Sequence, residues 1–187
     1  MAFWKCIALL SLFLFFSQIC SMPTDSIKKV RTLVKTTHNL LENMGGHFPR
    51  ECLEENVKIP FPESALQSNG SNQNIGVKKA MYKIMEHIDF LFANDSYPES
   101  WNQKKVEDFQ NIVYRLISEN ECIMGRTHRP VDCGPDFPAT EDALKTYFDK
   151  LATLLRNKNQ SVCAWEVVRK ELLRVLNVIL KLKPFKG

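Results

Sequence analysis

The chain has 187 residues and a net charge of +4, from 25 Lys and Arg against 21 Asp and Glu. This charge is too small and too scattered for a protein that binds nucleic acid through a basic surface. A hydrophobic fraction of 44% and a length of this order suit one domain with a substantial core.

The N-terminus has the pattern of a secretory signal peptide. Lys5 supplies a positive charge, Ile7–Phe16 is almost wholly apolar, and small and polar residues follow. An apolar run this short does not span a bilayer, which needs about 20 residues. We therefore expect a signal peptide over residues 1–21, cleaved after Ser21, and a mature domain over residues 22–187. A retained membrane anchor is the alternative.

Five segments have the apolar spacing of amphipathic helices, and no segment alternates as a strand would. Gly45-Gly46 ends the first helix, and Pro98 precedes the third. Thr140 is a candidate N-cap of the fourth helix, and Pro184 stops the fifth. The predicted helices are Asp25–Met44, Ile75–Ala93, Glu99–Ile123, Thr140–Lys158 and Ser161–Leu182.

The connections between these helices differ in length. About 30 residues, from Gly45 to Asn74, separate the first two helices, and a second irregular stretch runs from Cys122 to Ala139. The other two links are short, which favours antiparallel neighbours, whereas a long link can cross the length of a bundle. The sequence therefore predicts an all-α, up-up-down-down bundle of five main helices with long overhand loops, the architecture of helical cytokines.

Motifs of common enzyme classes are missing from the sequence. It contains no GxSxG element and no phosphate-binding loop. The four histidines do not have the spacing of metal ligands, and no CxxC pair occurs. We therefore expect no catalysis, no metal and no other cofactor.

Four cysteines and three sequons lie beyond the predicted signal peptide. An even number of cysteines in an oxidising compartment favours two disulfides, and four cysteines allow three pairings. The Asn-X-Ser sequons become candidates for glycosylation if the chain is secreted. The cysteines are Cys52, Cys122, Cys133 and Cys163, and the sequon asparagines are Asn69, Asn94 and Asn159.

Several segments resemble the type I interferons and occur in the order of that family. Cys163-Ala-Trp-Glu-Val-Val-Arg169 is similar to the signature at the start of the family's last helix. Asp142–Phe148 resembles the penultimate helix, and Phe48–Leu53 with Ile59–Pro62 resembles the first long loop. The resemblance covers nearly all of the predicted mature chain. Gly45-Gly46 and the divergence from mammalian members suggest a fish interferon.

The resemblance implies a disulfide between Cys52, in the first long loop, and Cys163, at the start of the last helix. Closing about 110 residues contributes on the order of 4–5 kcal/mol in the chain-entropy model. The second bridge departs from the family, many of whose members join an N-terminal cysteine to one that corresponds to Cys122. The expected cleavage removes Cys20, which favours Cys122–Cys133. Cleavage before Cys20 would instead allow Cys20–Cys122.

The resemblance also implies the function. It suggests a secreted, monomeric cytokine that joins the two chains of a class II cytokine receptor and so triggers antiviral kinase and transcription-factor signalling. We expect no binding to nucleic acid and no direct insertion into a membrane. The first long loop and the last helix should form the main receptor surface. By position, the residues that match the family's high-affinity contacts are Leu53, Arg169, Lys170, Leu173 and Arg174.

The four helical members of this set have i, i+4 spacings, which predict a single exposed patch. In the loop, Asn56 stands where the family has a basic anchor, and Lys58 is a candidate substitute. Trp165 is expected in the core. A second, weaker surface should lie on the second to fourth helices, where the basic candidates are Lys78, Lys83, Lys105 and Arg115.

A cationic membrane-active protein is the alternative of a different class. Its support is the C-terminal group of Lys181, Lys183 and Lys186 beside Leu182 and Phe185. A strongly basic amphipathic surface would be expected of such a protein, and the modest net charge argues against it.

Overall fold

Five α-helices form in the described part of the chain, which comprises residues 25–67, 73–125 and 137–182 of a computed structural model. Two short 3-10 helices, Arg50–Glu55 and Glu63–Leu66, lie in the first long connection. No strand occurs among these residues, so the prediction of an all-α fold is confirmed. The α-helices are α1 (Asp25–Gly45), α2 (Gln73–Phe92), α3 (Gln103–Gly125), α4 (Phe137–Asn157) and α5 (Val162–Leu180).

Local hydrogen bonds set the helix ends, and two predicted starts are wrong. α3 begins at Gln103 instead of Glu99, because Asn102 caps it: its Oδ1 accepts from the Lys105 N–H over 3.0 Å. α4 begins at Phe137, which places Thr140 inside the helix and not at its N-cap. α5 begins as expected, because the Ser161 hydroxyl accepts from the Ala164 N–H over 3.2 Å.

The end of α1 lies beside the beginnings of two other helices. The Asn102 N–H, just before α3, donates to the Met44 carbonyl over 2.8 Å. Arg169, in the first half of α5, donates to carbonyls at the same end of α1. α3 and α5 therefore run antiparallel to α1. α2 packs against α3 and α4, and α4 also contacts α5, which completes the predicted bundle.

Aromatic rings fill the core at this end of the bundle. Trp165 is fully buried, as expected, with its ring centroid 5.2 Å from that of Phe92 and 5.8 Å from that of Trp101. Trp101 is also buried, although it precedes α3 in a turn.

Between α2 and α4, His87 stacks on Phe148 at 4.8 Å, and burial lowers the pKa of its imidazole.

Some expectations concern residues outside the described ranges. These are the signal peptide over residues 1–21, the sequon at Asn69, and Lys183 and Lys186 of the basic C-terminus. The side chains of Cys122 and Cys133 also lie outside the described set, so their pairing stays a prediction. None of the described helices combines the length and the apolar character that crossing a membrane requires.

Candidate functional site

The first long connection is joined to α5 by a disulfide. Cys52, in the first 3-10 helix, is bonded to Cys163, in the first turn of α5, with their Cα atoms 5.1 Å apart. This is the pairing that the resemblance implies. It closes a separation of 111 residues, for which the chain-entropy model gives a stabilisation on the order of 4–5 kcal/mol.

Two basic side chains of α5 hold the segment that follows. Lys170 Nζ donates to the Asn56 side-chain oxygen and, over 2.8 Å, to the Val57 carbonyl. Arg174 donates to the Ile59 carbonyl. The backbone over residues 52–59 is therefore bound to α5 at several points. We call this segment, residues 52–59 with the facing side of α5, the loop–α5 surface.

Glu171 aligns the two basic side chains. Its carboxylate is fully buried, with Oε1 lying 3.3 Å from Lys170 Nζ and Oε2 accepting from Arg174. A buried carboxylate is stable only when it is paired and hydrogen-bonded. Glu171 is thus within ion-pair distance of both cations, and its hydrogen bond from Arg174 supports the side chain that holds the loop at Ile59.

The apolar candidates differ in exposure. Leu53 is 58% exposed, and it follows the buried Cys52 that anchors the segment. Leu173 is half-buried, packs against the core and lines a shallow cleft of about 340 Å³ between the end of α1 and α5. The other residues of this cleft are Glu42, Asn43, Gly46, His47, Phe48, Arg169 and Lys170.

The expectation that Arg169 belongs to an exposed patch is wrong. Its side chain is only 4% exposed and pairs with Glu166, with Nη2 at 2.6 Å and Nε at 3.0 Å from the same carboxylate oxygen. The guanidinium also donates to the carbonyls of Leu41, Glu42 and Gly46 at 3.3, 3.1 and 2.7 Å. The unsatisfied carbonyls at the end of α1 attract this cation into the interior.

The buried pair extends to a third side chain, because Trp101 Nε1 donates to the other Glu166 oxygen over 2.7 Å. We call Trp101, Glu166 and Arg169 the buried polar cluster. Gly45 lies against all three, and a Cβ there would come within 2.8 to 2.9 Å of their polar atoms. Gly46 then turns the chain with a φ of +70°, which glycine adopts without strain.

The signature segment therefore has a mainly architectural role. Cys163 forms the disulfide, Ala164 and Trp165 are buried, and Glu166 with Arg169 forms the buried polar cluster. The exposed side chains of the loop–α5 surface come from the loop and from the following turn of α5. Helical spacing alone does not reveal the burial of Arg169, because arginine is usually exposed on protein surfaces.

The basic candidates for a second surface make contacts on different sides of the bundle. Lys83 forms ion pairs with Glu86 at 3.2 Å and with Glu141 of α4 at 3.0 Å. Burial disfavours its charged form, but the hydrogen bonds to Glu141 and Glu86 outweigh this effect and raise the pKa of Lys83. Lys105 instead donates to the Asn43 carbonyl of α1 over 3.2 Å. Lys78 is half-buried and Arg115 is exposed.

Two exposed aromatic residues were missed among the candidates. Phe90 of α2 is 71% exposed and Tyr114 of α3 is 68% exposed. Both lie off the apolar stripe of their helices, which is the signal that could have identified them. Within the described residues, no group of three or more His, Cys, Asp or Glu side chains is placed to hold a metal ion.

Comparison with known proteins gives one family. Residues 27–184 match the family model of the interferon alpha/beta domain. The chain is 27% identical to human interferon alpha-7 over 169 residues, which are 88% of this chain and 84% of that relative. It is 28% identical to interferon beta of Tachyglossus aculeatus aculeatus over 154 residues, 79% of this chain and 78% of that relative.

Two solved structures agree with this result. Zebrafish interferon 2 superposes with a TM-score of 0.76 and 66% identity, over 81% of this chain and 97% of that one. Zebrafish interferon 1 superposes with a TM-score of 0.65 and 25% identity, over 82% and 93% of the two chains. These similarities confirm the resemblance to fish type I interferons that the sequence predicts. The members of this family are cytokines and not enzymes, as the absence of enzyme motifs in the sequence predicts. The chain therefore belongs to the interferon alpha/beta family.

Proposed function

We propose that the chain is a secreted, monomeric type I interferon that binds a two-chain class II cytokine receptor and triggers antiviral signalling. A signal peptide over residues 1–21 would direct secretion, and residues 22–187 would form the active domain. Membership of the interferon family supports this function. The observation that carries the proposal is an exposed Leu53 on a loop that is fixed to α5.

The loop–α5 surface is the proposed site for the high-affinity receptor chain. Leu53 supplies an exposed apolar anchor, and Leu173 lines the neighbouring cleft. Lys170 and Arg174 keep part of their surface accessible while holding the loop. A loop that is already ordered loses little entropy on binding, which favours affinity.

Arg169 supports this surface from below, by holding the residues that line its cleft. Its guanidinium fixes the Gly46 carbonyl and the end of α1, which form one side of the cleft beside Leu173. In receptor binding, Arg169 therefore positions one wall of the cleft. Arg169→Ala should weaken receptor binding together with stability, whereas changes at Leu53 should affect binding alone.

The second receptor chain is proposed to contact α2, α3 and α4. Tyr114 and the neighbouring Arg115 are residue types that dominate many interfaces, and both are exposed on α3. The ion pairs of Lys83 order one side of this region. Lys78 and Lys105 complete the basic set expected there.

Binding to each receptor chain measured separately tests the proposal. Leu53→Ala should weaken binding to the high-affinity chain by about 2 kcal/mol, or about 30-fold, the effect of an interface anchor. Its melting temperature should stay unchanged, because the side chain is exposed. Tyr114→Ala is the matched control, since it removes a similarly exposed side chain from another helix and should leave this affinity unchanged.

Cells that lack either receptor chain provide the test of signalling. Added protein should induce receptor-proximal phosphorylation only in cells that carry both chains. Equal responses in cells without receptor, or leakage from lipid vesicles at the same concentrations, would contradict the proposal and favour the membrane-active alternative.

A further inference from the structure

An exposed aromatic ring lies beside a sequon at the end of α2. Phe90, in the last turn of α2, and Asn94, two residues beyond its end, line the same cleft of about 370 Å³ between α2 and α4. The floor is apolar, from Leu91, Ala152 and Leu155. The polar rim consists of Asn94, Ser96, Asp149, Arg156 and Gln160.

The sequon Asn94-Asp95-Ser96 occupies an exposed turn. Asn94 is exposed, and Asp95 has a φ of +48°, a turn conformation, in the short link between α2 and α3. Asparagine in Asn-X-Ser is the acceptor of N-linked glycans in secreted proteins. A glycan on Asn94 would be attached at the rim of the cleft and would be held next to Phe90.

We propose that Asn94 carries an N-linked glycan whose first N-acetylglucosamine packs on Phe90 in this cleft. The inference rests on the proposed secretion. The donor is an oligosaccharide bound to a lipid diphosphate. The Asn94 amide nitrogen forms a bond to the anomeric carbon and loses a proton, while the sugar–oxygen bond breaks and the lipid diphosphate leaves.

The side chains that line the cleft suit the binding of a sugar ring. A pyranose ring has an apolar face of C–H groups that packs on an aromatic ring, and its edge carries hydroxyl and acetamido groups. Phe90 supplies the aromatic face, since its side chain is exposed and lines the cleft beside Asn94. Asp149, Arg156 and Gln160 supply acceptors and donors at the rim.

Asp149 stays available as an acceptor for these hydroxyl groups. Its Oδ2 accepts from Lys145 Nζ at 2.5 Å, a hydrogen bond that lowers the pKa of its carboxyl and keeps it ionised. A carboxylate has several acceptor sites, so one bond to Lys145 leaves room for others. Attachment at Asn94 also gives the sugar a high effective concentration at the cleft.

Protein secreted from cells that perform N-glycosylation provides the test. Asn69→Asp and Asn159→Asp restrict the glycan to Asn94, and aspartate tolerates the positive φ of 48° at position 159. Peptide mass spectrometry should show occupancy at Asn94. One portion is then trimmed to a single N-acetylglucosamine, and another is stripped of the whole glycan.

The single sugar should raise the melting temperature by about 2–4 °C over the stripped protein, the shift expected of one good contact in a chain of this size. Phe90→Ala should abolish this increase. Tyr114→Ala, which removes a similarly exposed ring that does not line this cleft, should retain the increase.

Three results would overturn the inference. They are an unoccupied Asn94 in the secreted protein, an equal increase in the Phe90→Ala protein, or a loss of receptor affinity on Phe90→Ala in an Asn94→Asp background. The last result would make the cleft a protein-docking face. Receptor signalling is measured independently, so failure to signal would contradict the proposed function while leaving the melting comparison valid.

Discussion

Two glutamate–arginine pairs with the same i, i+3 spacing lie five residues apart on α5, in different environments. Glu166 and Arg169 are 2% and 4% exposed in their side chains and belong to the buried polar cluster. Glu171 is also buried, but Arg174 is 32% exposed and lies at the loop–α5 surface. Five residues correspond to roughly 140° around a helix, so the pairs face different neighbours.

The neighbours decide what each arginine does. Arg169 faces the end of α1 and binds the Leu41 and Glu42 carbonyls of its last turns and the Gly46 carbonyl just beyond it. Arg174 faces the loop and binds the Ile59 carbonyl. The same local pattern thus joins two helices in one place and orders a binding loop in the other. The spacing identifies the ion pair, and only the packing shows which role it has.

The largest effect should come from breaking the buried pair. Arg169→Ala leaves Glu166 with an uncompensated buried charge, which should cost about 3–5 kcal/mol of unfolding free energy. Chemical denaturation of the purified protein measures this change.

A double variant provides the control for that experiment. Glu166→Gln with Arg169→Met removes both charges and keeps an acceptor for the Trp101 N–H. It should be more stable than Arg169→Ala alone, because no unpaired charge remains. A cost below about 1 kcal/mol for Arg169→Ala would contradict the burial of the pair and show that it is hydrated.

Gly45→Ala is the next largest change and acts on the same cluster without removing a charge. Within a helix this substitution usually stabilises by about 0.5–1 kcal/mol. Here the added Cβ would lie 2.8 Å from Arg169 Nε and Trp101 Nε1 and 2.9 Å from Glu166 Oε1, too close for any of them. We expect a loss of about 1–3 kcal/mol instead. Denaturant unfolding that shows a gain in stability would contradict the close packing of the cluster.

Much of the fold could be predicted from the sequence, because apolar spacing, glycines and loop lengths are local signals. The helix starts at Glu99 and Thr140 were wrong, because apolar spacing does not identify the first residue of a helix. Asn102 caps α3, and α4 begins with Phe137-Pro138, which the sequence places in a loop. Trp101 was not recognised as a core residue, because it lies in the turn before α3 and outside any helical apolar stripe. Its partner Glu166 is 65 residues away in the sequence.

The candidate site could be predicted in part. The disulfide and the placement of the loop on the last helix followed from the resemblance, since Cys52 and Cys163 occur within recognisable segments. The burial of Arg169 could not be predicted, because it depends on the free carbonyls of α1. The role of Glu171 as the residue that aligns Lys170 and Arg174 was likewise invisible until the loop was placed.

Arg174→Ala should have a smaller effect on stability than either change in the cluster. Arg174 is partly hydrated, and Glu171 keeps Lys170 as a second partner at 3.3 Å. We expect a loss of about 1–2 kcal/mol of unfolding free energy.

Receptor affinity of the Arg174→Ala protein should fall further than its loss of stability predicts, because the loop is released at Ile59. Titration of receptor binding against Arg174→Lys, which keeps the charge, separates the two effects. Equal affinities of all three proteins would remove Arg174 from the proposed site.

The smallest effect concerns the partly exposed contact between Lys158 and Glu55, whose charged atoms lie 3.4 Å apart and join the end of α4 to the loop. Lys158→Ala should cost about 0.2–1 kcal/mol at low ionic strength, as exposed pairs do. In 1 M salt the screening length falls to about 3 Å, and this cost should vanish. The cost of Arg169→Ala should remain nearly constant over the same range, because its pair is shielded from solvent. Equal salt dependence of the two variants would show that burial does not distinguish the pairs.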